Sequence, residues 1–397
     1  MRGIRSVPKI LSLFLVLFLV LQTISVQGKP RARDLGIPFE GTPGPFNAIT
    51  DVKGVEVGHT TLIFGHGKLQ VGVGPVRTGV TAILPRGKKS KDPVFAGWFS
   101  LNGNGEMTGT TWVEESGFLE GPVMLTNTHS VGIVRDAVIA WQIKNGLLFQ
   151  PFSYPVVAET YDGFLNDING FHIQREHVWA ALENARSGEV LEGNVGGGTG
   201  MICYGFKGGI GTASRKLTER SGTYTLGVLV QANFGRRDQL RMAGVPVGLE
   251  INEDPPYAPK EAHRIPEIDG SIIVVVATDA PLLPHQLKRI ARRVSLGIAR
   301  TGGVSLNSSG DLFIAFSTAN PGVASSEGVV PLRMLPNHQL NPFFEATVQA
   351  TEEAVINALI AAETMVGVED HKVIAIPQDR LKEVMRKYNR LKEPNQD

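Results

Sequence analysis

The chain has 397 residues, of which 42% are hydrophobic and 19% are charged, with 46 glycines, 24 prolines and one cysteine. This composition excludes disordered, collagen-like and coiled-coil proteins, and the lone Cys203 excludes an intramolecular disulfide framework and a metal site built from several cysteines. The formal net charge of +1 argues against a nucleic-acid-binding protein, which usually has a basic face. Length alone favours two or three domains of about 100–200 residues each.

Residues 1–28 have the parts of a secretory signal peptide. Arg2, Arg5 and Lys9 form a basic start, an apolar run follows from residue 10 to residue 21, and a polar stretch ends at Gly28. The apolar run is shorter than the ~20 residues that span a bilayer, so we prefer a removed signal peptide to an anchoring helix. The sequence therefore predicts an exported protein, periplasmic or secreted, without membrane attachment once residues 1–28 are removed.

Apolar runs bounded by glycine-rich turns predict strands, and apolar positions at helical spacing predict helices. Residues 29–60 are rich in turn residues and predict an extended leading segment. The predicted strands are 79–84, 94–99, 122–126, 223–233, 271–278 and 312–318. The predicted helices are 131–145, 175–187, a long one after Pro281, 342–366 and 378–391.

Strands and helices are interleaved in blocks without the strict alternation of a doubly wound sheet, so layers of antiparallel sheet covered by helices fit the pattern better. The strand at 271–278, Ser-Ile-Ile-Val-Val-Val-Ala-Thr, does not alternate between apolar and polar residues. It is therefore predicted to be buried on both faces, in the middle of a multilayer α/β stack.

Several sequence motifs that define known enzyme classes are absent. The glycine-rich stretch 193–200 does not match G-x-G-x-x-G, and G-x-x-x-x-G-K-[ST] does not occur, which argues against a nucleotide cofactor. H-E-x-x-H does not occur and the nine histidines are scattered, so no metal site is predicted. The absence of a G-x-S-x-G elbow argues against an α/β-hydrolase. We therefore expect no metal and no organic cofactor.

The junction of Gly270 and Ser271 has the pattern of a self-cleavage site. The proline-rich and charged stretch 252–270 runs without transition into the most apolar strand of the chain. The Ser271 hydroxyl can attack the Gly270 carbonyl, and glycine permits the unusual backbone geometry of that attack. Cleavage would leave an N-terminal serine whose α-amine, with a pKa of ~7.7–8.0, can act as the base for its own hydroxyl. From spacing alone, a turn followed by a strand is the simpler interpretation.

The sequence from about residue 35 to 370 closely resembles the family of the L-aminopeptidase D-amidase/D-esterase and the β-peptidyl aminopeptidases, peptidase family S58, whose members are self-cleaving N-terminal-serine hydrolases. The resemblance rests on long motifs, which are specific together: Asn47-Ala-Ile-Thr-Asp51, Leu101-Asn-Gly-Asn-Gly-Glu106, Thr126-Asn-Thr-His129, Val157-Ala-Glu159-Thr-Tyr161-Asp-Gly163, Gly193-Asn-Val-Gly-Gly-Gly-Thr-Gly200, Lys207-Gly-Gly-Ile-Gly-Thr212, Gln231-Ala-Asn233-Phe-Gly235, Asp269-Gly270-Ser271 and Ser308-Ser309-Gly310-Asp311.

The resemblance implies a four-layer α/β/β/α sandwich, which is similar to the N-terminal-nucleophile (Ntn) hydrolase fold but of the aminopeptidase/ornithine-acetyltransferase type. It implies a single catalytic domain, residues 29–397, cleaved into an α chain (29–270) and a β chain (271–397). It also implies homo-oligomers of such αβ units. The substrates implied are short peptides, amino-acid amides or esters with a free N-terminus.

The resemblance also implies a role for each matching residue. Ser271 matches the nucleophile, and Asn233 matches the side-chain amide that stabilises the oxyanion. Ser309 and Asp311 match a hydroxyl and carboxylate pair beside the nucleophile, although the family carboxylate is a glutamate and Asp311 is one methylene shorter.

Two further matches concern the substrate pocket. The resemblance implies that Glu159 pairs with the free ammonium of the substrate and that Tyr161 supplies a pocket hydroxyl near the reacting carbonyl. Two other functions compete with an aminopeptidase. One is an acetyltransferase of the same fold, in which threonine is the usual nucleophile, and the other is an exported, uncleaved binding protein for amino compounds.

Overall fold

The computed structural model describes residues 29–219, 222–252, 254, 270–325 and 327–392. The strands are β1 (Glu56–Phe64), β2 (Val76–Leu84), β3 (Val94–Gly103), β4 (Phe118–Leu119), β5 (Val123–Asn127), β6 (Val156–Thr160), β7 (Ile202–Cys203), β8 (Phe206–Lys207), β9 (Gly209–Glu219), β10 (Gly222–Phe234), β11 (Gly270–Thr278), β12 (Gly310–Ser317), β13 (Met365–Val366) and β14 (Lys372–Val373). The helices are α1 (Thr110–Ser116), α2 (Val131–Asn145), α3 (Arg175–Glu183), α4 (Val247–Glu250), α5 (Pro284–Arg300), α6 (Asn341–Ala361) and α7 (Gln378–Lys387).

Two large sheets organise the fold. One has four strands in the order β1-β2-β5-β6, and the other has six in the order β4-β3-β12-β11-β10-β9. The prediction of antiparallel sheets does not hold at two places, where β5 pairs with β6 and β11 pairs with β12 in parallel. In each pair a long helix, α2 or α5, lies between the two strands in the chain, and such a crossover returns the chain in the same direction.

Three apolar clusters define four layers. The two sheets pack face to face through residues such as Leu125 and Ile273. The outer face of the four-stranded sheet packs against α2 and α3, and the outer face of the six-stranded sheet packs against α5 and α6. The predicted α/β/β/α sandwich is therefore confirmed. β11 lies within it, with Val275 facing the other sheet and Val274 facing the helices, so the predicted burial on both faces is confirmed as well.

Most predicted elements are present, with differences at their ends. α2 has the predicted bounds, whereas α3 ends four residues before 187, at Glu183. The helix predicted at 342–366 ends at Ala361, because the next residue is extended and residues 365–366 pair in β13. The helix predicted at 378–391 ends at Lys387.

Two sequence predictions fall on residues that the structure does not describe. The signal peptide, residues 1–28, lies outside the described residues, and so does most of the predicted loop at 252–270. Among the helices of the described part, none combines the length and apolar character needed to cross a membrane.

Candidate active site

Ser271 lies at the point where the central strand β11 enters the core. Its strand runs antiparallel to β10, which places Ser271 opposite Asn233 and Gly270 opposite Phe234. Ser271 and Asn233 fall on the same face as Ile273 and Leu229, which pack between the two sheets. Ser271 is only 7% exposed, so its hydroxyl is held in a largely desolvated position.

The start of β12 contacts the Ser271 side chain. The backbone N–H of Gly310 donates a hydrogen bond to Ser271 Oγ at 3.0 Å, which fixes the hydroxyl oxygen. The hydroxyl of Ser309 donates to Asp311 Oδ1 at 2.6 Å. Burial raises the pKa of Asp311, and the hydrogen bond from Ser309 partly offsets that effect. Ser309 and Asp311 are therefore hydrogen-bonded to each other, and the shorter aspartate side chain does reach the Ser309 hydroxyl.

The Asn233 amide is held at both ends. Its Oδ1 accepts a hydrogen bond from the N–H of Ile202 at 2.7 Å, and its Nδ2 donates to the carbonyl oxygen of Tyr161 at 3.0 Å. These partners fix which end of the amide is the donor. An amide nitrogen carries two hydrogens, and Tyr161 accepts only one of them, so the geometry suits donation to a second, transient oxygen.

Tyr161 contributes to this arrangement through its backbone. Its side chain is 42% exposed and its ring folds over Gly163, where a Cβ would collide with the hydroxyl. Burial raises the pKa of the Tyr161 phenol, and the neighbouring Asp162 adds to the effect. The structure therefore brings the Tyr161 carbonyl to Asn233, while the hydroxyl named by the resemblance lies over Gly163.

Glu159 is a buried carboxylate with neutral hydrogen-bond donors. It is 4% exposed, its Oε1 accepts the N–H of Glu106 at 3.0 Å, and its Oε2 accepts the hydroxyl of Thr128. Burial raises its pKa, while the hydrogen bonds from Thr128 and Glu106 act in the opposite direction. A carboxylate in this state gains from a cationic ligand, because an ammonium ion would stabilise its charged form.

Gly105 lies between Glu159 and the segment that contacts Ser271. A Cβ at Gly105 would lie 3.2 Å from the Cα of Gly310 and 3.3 Å from Oε1 of Glu159. The amide of the same Gly310 holds Ser271 Oγ. Glu159 and the Ser271 hydroxyl are therefore linked through the close packing of Gly105 against Glu159 and Gly310, where a Cβ would be tight.

Sequence reasoning missed the residues that act through their backbone or hold others in place. The amides of Gly310 and Glu106 and the hydroxyl of Thr128 were given no role, although all three lie in the quoted motifs. In the glycine-rich stretch, the amides of Gly196 and Gly197 donate to threonine hydroxyls of the four-stranded sheet. Cys203 is buried.

The arrangement can perform acyl transfer with protein groups alone. A fixed serine hydroxyl, an oriented amide donor, a hydroxyl and carboxylate pair and a cation-binding carboxylate are the parts such chemistry needs. Within the described ranges, no group of three or more histidine, cysteine, aspartate or glutamate side chains is placed to hold a metal ion.

Comparison with known proteins defines the class. The chain is 56% identical over 375 residues to the β-peptidyl aminopeptidase BapA of Sphingosinicella microcystinivorans, covering 91% of this chain and 93% of the relative. The structure of the L-aminopeptidase D-Ala-esterase/amidase of Ochrobactrum anthropi, described as a variant of the Ntn hydrolase fold, matches with a TM-score of 0.85 and 50% identity, covering 92% of this chain and 100% of that one. A Burkholderia β-aminopeptidase matches with a TM-score of 0.82 and 47% identity, covering 90% and 99%.

The fold and these likenesses make the protein a serine aminopeptidase of the Ntn-hydrolase type. The model of peptidase family S58 matches residues 47–373, and the chain belongs to that family. It is therefore a hydrolase, rather than an acetyltransferase or a binding protein.

Proposed function

We propose that this chain is an exported aminopeptidase that matures by cleaving its own Gly270–Ser271 bond. The mature enzyme then hydrolyses the amide or ester bond after a free-amine N-terminal residue, by way of an acyl-enzyme on Ser271. The family and the fold support the aminopeptidase class. We propose in addition the cleavage site, the roles of the individual residues and the substrates.

One observation carries the maturation step, namely the backbone at Gly270. Its φ is +55°, and a Cβ there would collide with the carbonyl oxygen of Asn233. Only glycine fits this position, one residue before a fixed hydroxyl. Ser271 Oγ attacks the Gly270 carbonyl carbon, the C–N bond breaks as the acyl group moves from N to O, and water then hydrolyses the ester. The products are a Gly270 carboxylate and a free α-amine on Ser271.

That α-amine completes the catalytic group. It accepts the proton of its own hydroxyl as Ser271 Oγ attacks the substrate carbonyl. Asn233 Nδ2 donates to the oxyanion that develops, and Ser309 with Asp311 holds protons beside the nucleophile. The leaving group departs with a proton, and water releases the acyl residue from Ser271 through the same donors.

Glu159 selects substrates with a free amine. Glu159 and Gly310, whose amide contacts Ser271 Oγ, both lie close to Gly105, which supports a substrate ammonium bound at Glu159 near the scissile carbonyl. The relatives include a β-peptidyl aminopeptidase and an L-aminopeptidase with D-Ala-esterase/amidase activity. We therefore propose short peptides, amides or esters of β- or D/L-amino acids, and a panel of p-nitroanilides of the three classes would rank them.

Blocking the substrate amine tests the function directly. We expect hydrolysis of a free amino-acid p-nitroanilide and essentially none of its N-acetylated form, because acetylation removes the charge that Glu159 binds. Glu159→Gln keeps the size of the side chain but loses its charge, and should lower kcat/KM for the free substrate by about 10²-fold or more. Both results come from initial rates on the purified protein.

Glu115 on α1 is exposed and offers a matched control. Glu115→Gln removes one negative charge away from the site and should leave kcat/KM unchanged. Equal hydrolysis of the free and acetylated substrates by the unaltered protein would contradict the proposed amine recognition.

Export and assembly complete the proposal. Residues 1–28 carry the basic start and apolar run of a signal peptide, which supports a periplasmic or secreted enzyme. The family resemblance supports a homo-oligomer of αβ units, which light scattering of the purified protein would measure.

A further inference from the structure

Lys207 is a fully buried cation outside the group of residues considered so far. It is 0% exposed, and its Nζ donates to the carbonyl oxygens of Met201 at 2.7 Å and Gly208 at 2.9 Å. The N–H of Gly208 also donates to the Met201 oxygen, at 2.9 Å. The side chain thus closes the β7–β8 hairpin from inside. Burying an ammonium group costs free energy unless its hydrogen bonds are satisfied, so a reason for its presence is needed.

The same hairpin carries the peptide group that holds Asn233. The carbonyl of Met201 and the N–H of Ile202 belong to one planar peptide unit. The carbonyl end accepts from Lys207 at 2.7 Å, and the N–H end donates to Asn233 Oδ1 at 2.7 Å. A single rigid plane therefore joins the lysine ammonium to the asparagine amide.

We infer that Lys207 is a positioning residue of the aminopeptidase, which acts through the Met201–Ile202 peptide to orient and polarise the Asn233 amide. This inference rests on the proposed function, since it assigns Asn233 to the oxyanion. Lys207 itself contacts two backbone carbonyls and does not reach the reacting atoms.

The physical basis is the cooperativity of hydrogen bonds in series. A donor on the Met201 carbonyl makes the Ile202 N–H a stronger donor, and that N–H in turn makes the Asn233 Nδ2 hydrogens stronger donors. The rigid plane also fixes the direction in which Nδ2 points. Burial lowers the pKa of Lys207 to about 7, while the nearby Asp162 acts to raise it. Either protonation state donates to both carbonyls, so the orientation persists across neutral pH.

A double-mutant cycle separates positioning from a merely structural role. Lys207→Met keeps the length and removes the donor, and should lower kcat by about 10- to 100-fold with KM changed by less than about twofold. Asn233→Ala alone should lower kcat by about 10²–10³-fold. In the double variant, Lys207→Met should add no further loss, because the amide on which Lys207 acts is absent.

Lys88 provides a matched control. Its Nζ also donates to two backbone carbonyls, those of Glu183 and Ala185, both at 2.8 Å, but these carbonyls have no link to Asn233. Lys88→Met should therefore lower the melting temperature without changing kcat. If Lys207→Met does not fold, the same cycle is run with Lys207→Leu, which also removes the donor, and the same loss of additivity is expected.

Each outcome has one meaning. Independent, multiplicative losses from Lys207→Met and Asn233→Ala would overturn the positioning role while leaving the proposed function intact. An unchanged kcat in Lys207→Met would do the same. An unchanged kcat in Asn233→Ala would instead contradict the oxyanion assignment, and with it the proposed function on which the inference rests.

Discussion

Ser271→Ala is expected to give an uncut chain with aminopeptidase activity reduced by about 10⁴-fold or more. The alanine has no oxygen to attack Gly270, and the fold keeps its packing because only one atom is lost from the start of a buried strand. The two consequences are measured on one sample, cleavage by denaturing gel electrophoresis and activity by release of p-nitroaniline.

A serine on a helix surface serves as the control for this variant. Ser295 on α5 hydrogen-bonds to a backbone carbonyl one turn away, so Ser295→Ala should be cleaved and active like the unaltered protein. A cleaved Ser271→Ala chain would refute the assignment of the maturation nucleophile, and an active one would refute the assignment of the catalytic nucleophile.

Gly270→Ala is expected to slow cleavage by about 100-fold or more, because a displacement of the reacting groups by about 1 Å has an effect of that size. The backbone at Gly270 has a φ of +55°, which costs an L-residue about 1–2 kcal/mol. In addition, the new Cβ would collide with the carbonyl oxygen of Asn233, so the start of β11 must shift. The measurement is the fraction of cleaved chain over time after synthesis.

Gly146→Ala is a control for Gly270→Ala, because it introduces the same kind of backbone strain without a collision. It caps α2 with a φ of +66°, and a Cβ there would meet nothing within 4 Å. Gly146→Ala should lose some stability and be cleaved at the normal rate. Rapid cleavage of Gly270→Ala would show that the close approach to Asn233 is not what prepares the bond for attack.

The layers of the fold were predictable because they follow from local patterns. Residues 271–278 are apolar without alternation, and a strand of that kind must be covered on both faces; the structure places it between the other sheet and the helices. The parallel pairing of β11 with β12 was not predicted, because it depends on how the crossover through α5 returns to the sheet.

Ser271 and Asn233 could be identified as candidate site residues for a different reason. They lie on two strands whose antiparallel register sets them opposite each other, and both belong to motifs that match a known family. The strand register cannot be read from the apolar pattern of the sequence. The family motifs were therefore needed to identify these two residues.

The supporting contacts of the site could not be predicted from sequence spacing. Glu159 is held by the Thr128 hydroxyl and by the amide of Glu106, which come from two segments far apart in the chain. Lys207 acts on Asn233 through the backbone of a third segment. Such contacts form only when the two sheets come together. Lys207 was nevertheless a usable signal in the sequence. It is a charged residue within an otherwise uncharged, glycine-rich motif, and a lysine in such a segment is unusual.

The mass and N-terminal sequence of the chains in the purified, active protein test the central claim most directly. The account predicts two chains in equal amounts, one of which begins at Ser271, together with hydrolysis of a free amino-acid p-nitroanilide. A single uncut chain that hydrolyses the same substrate would contradict it, because Ser271 would then have no free α-amine to accept the proton of its hydroxyl.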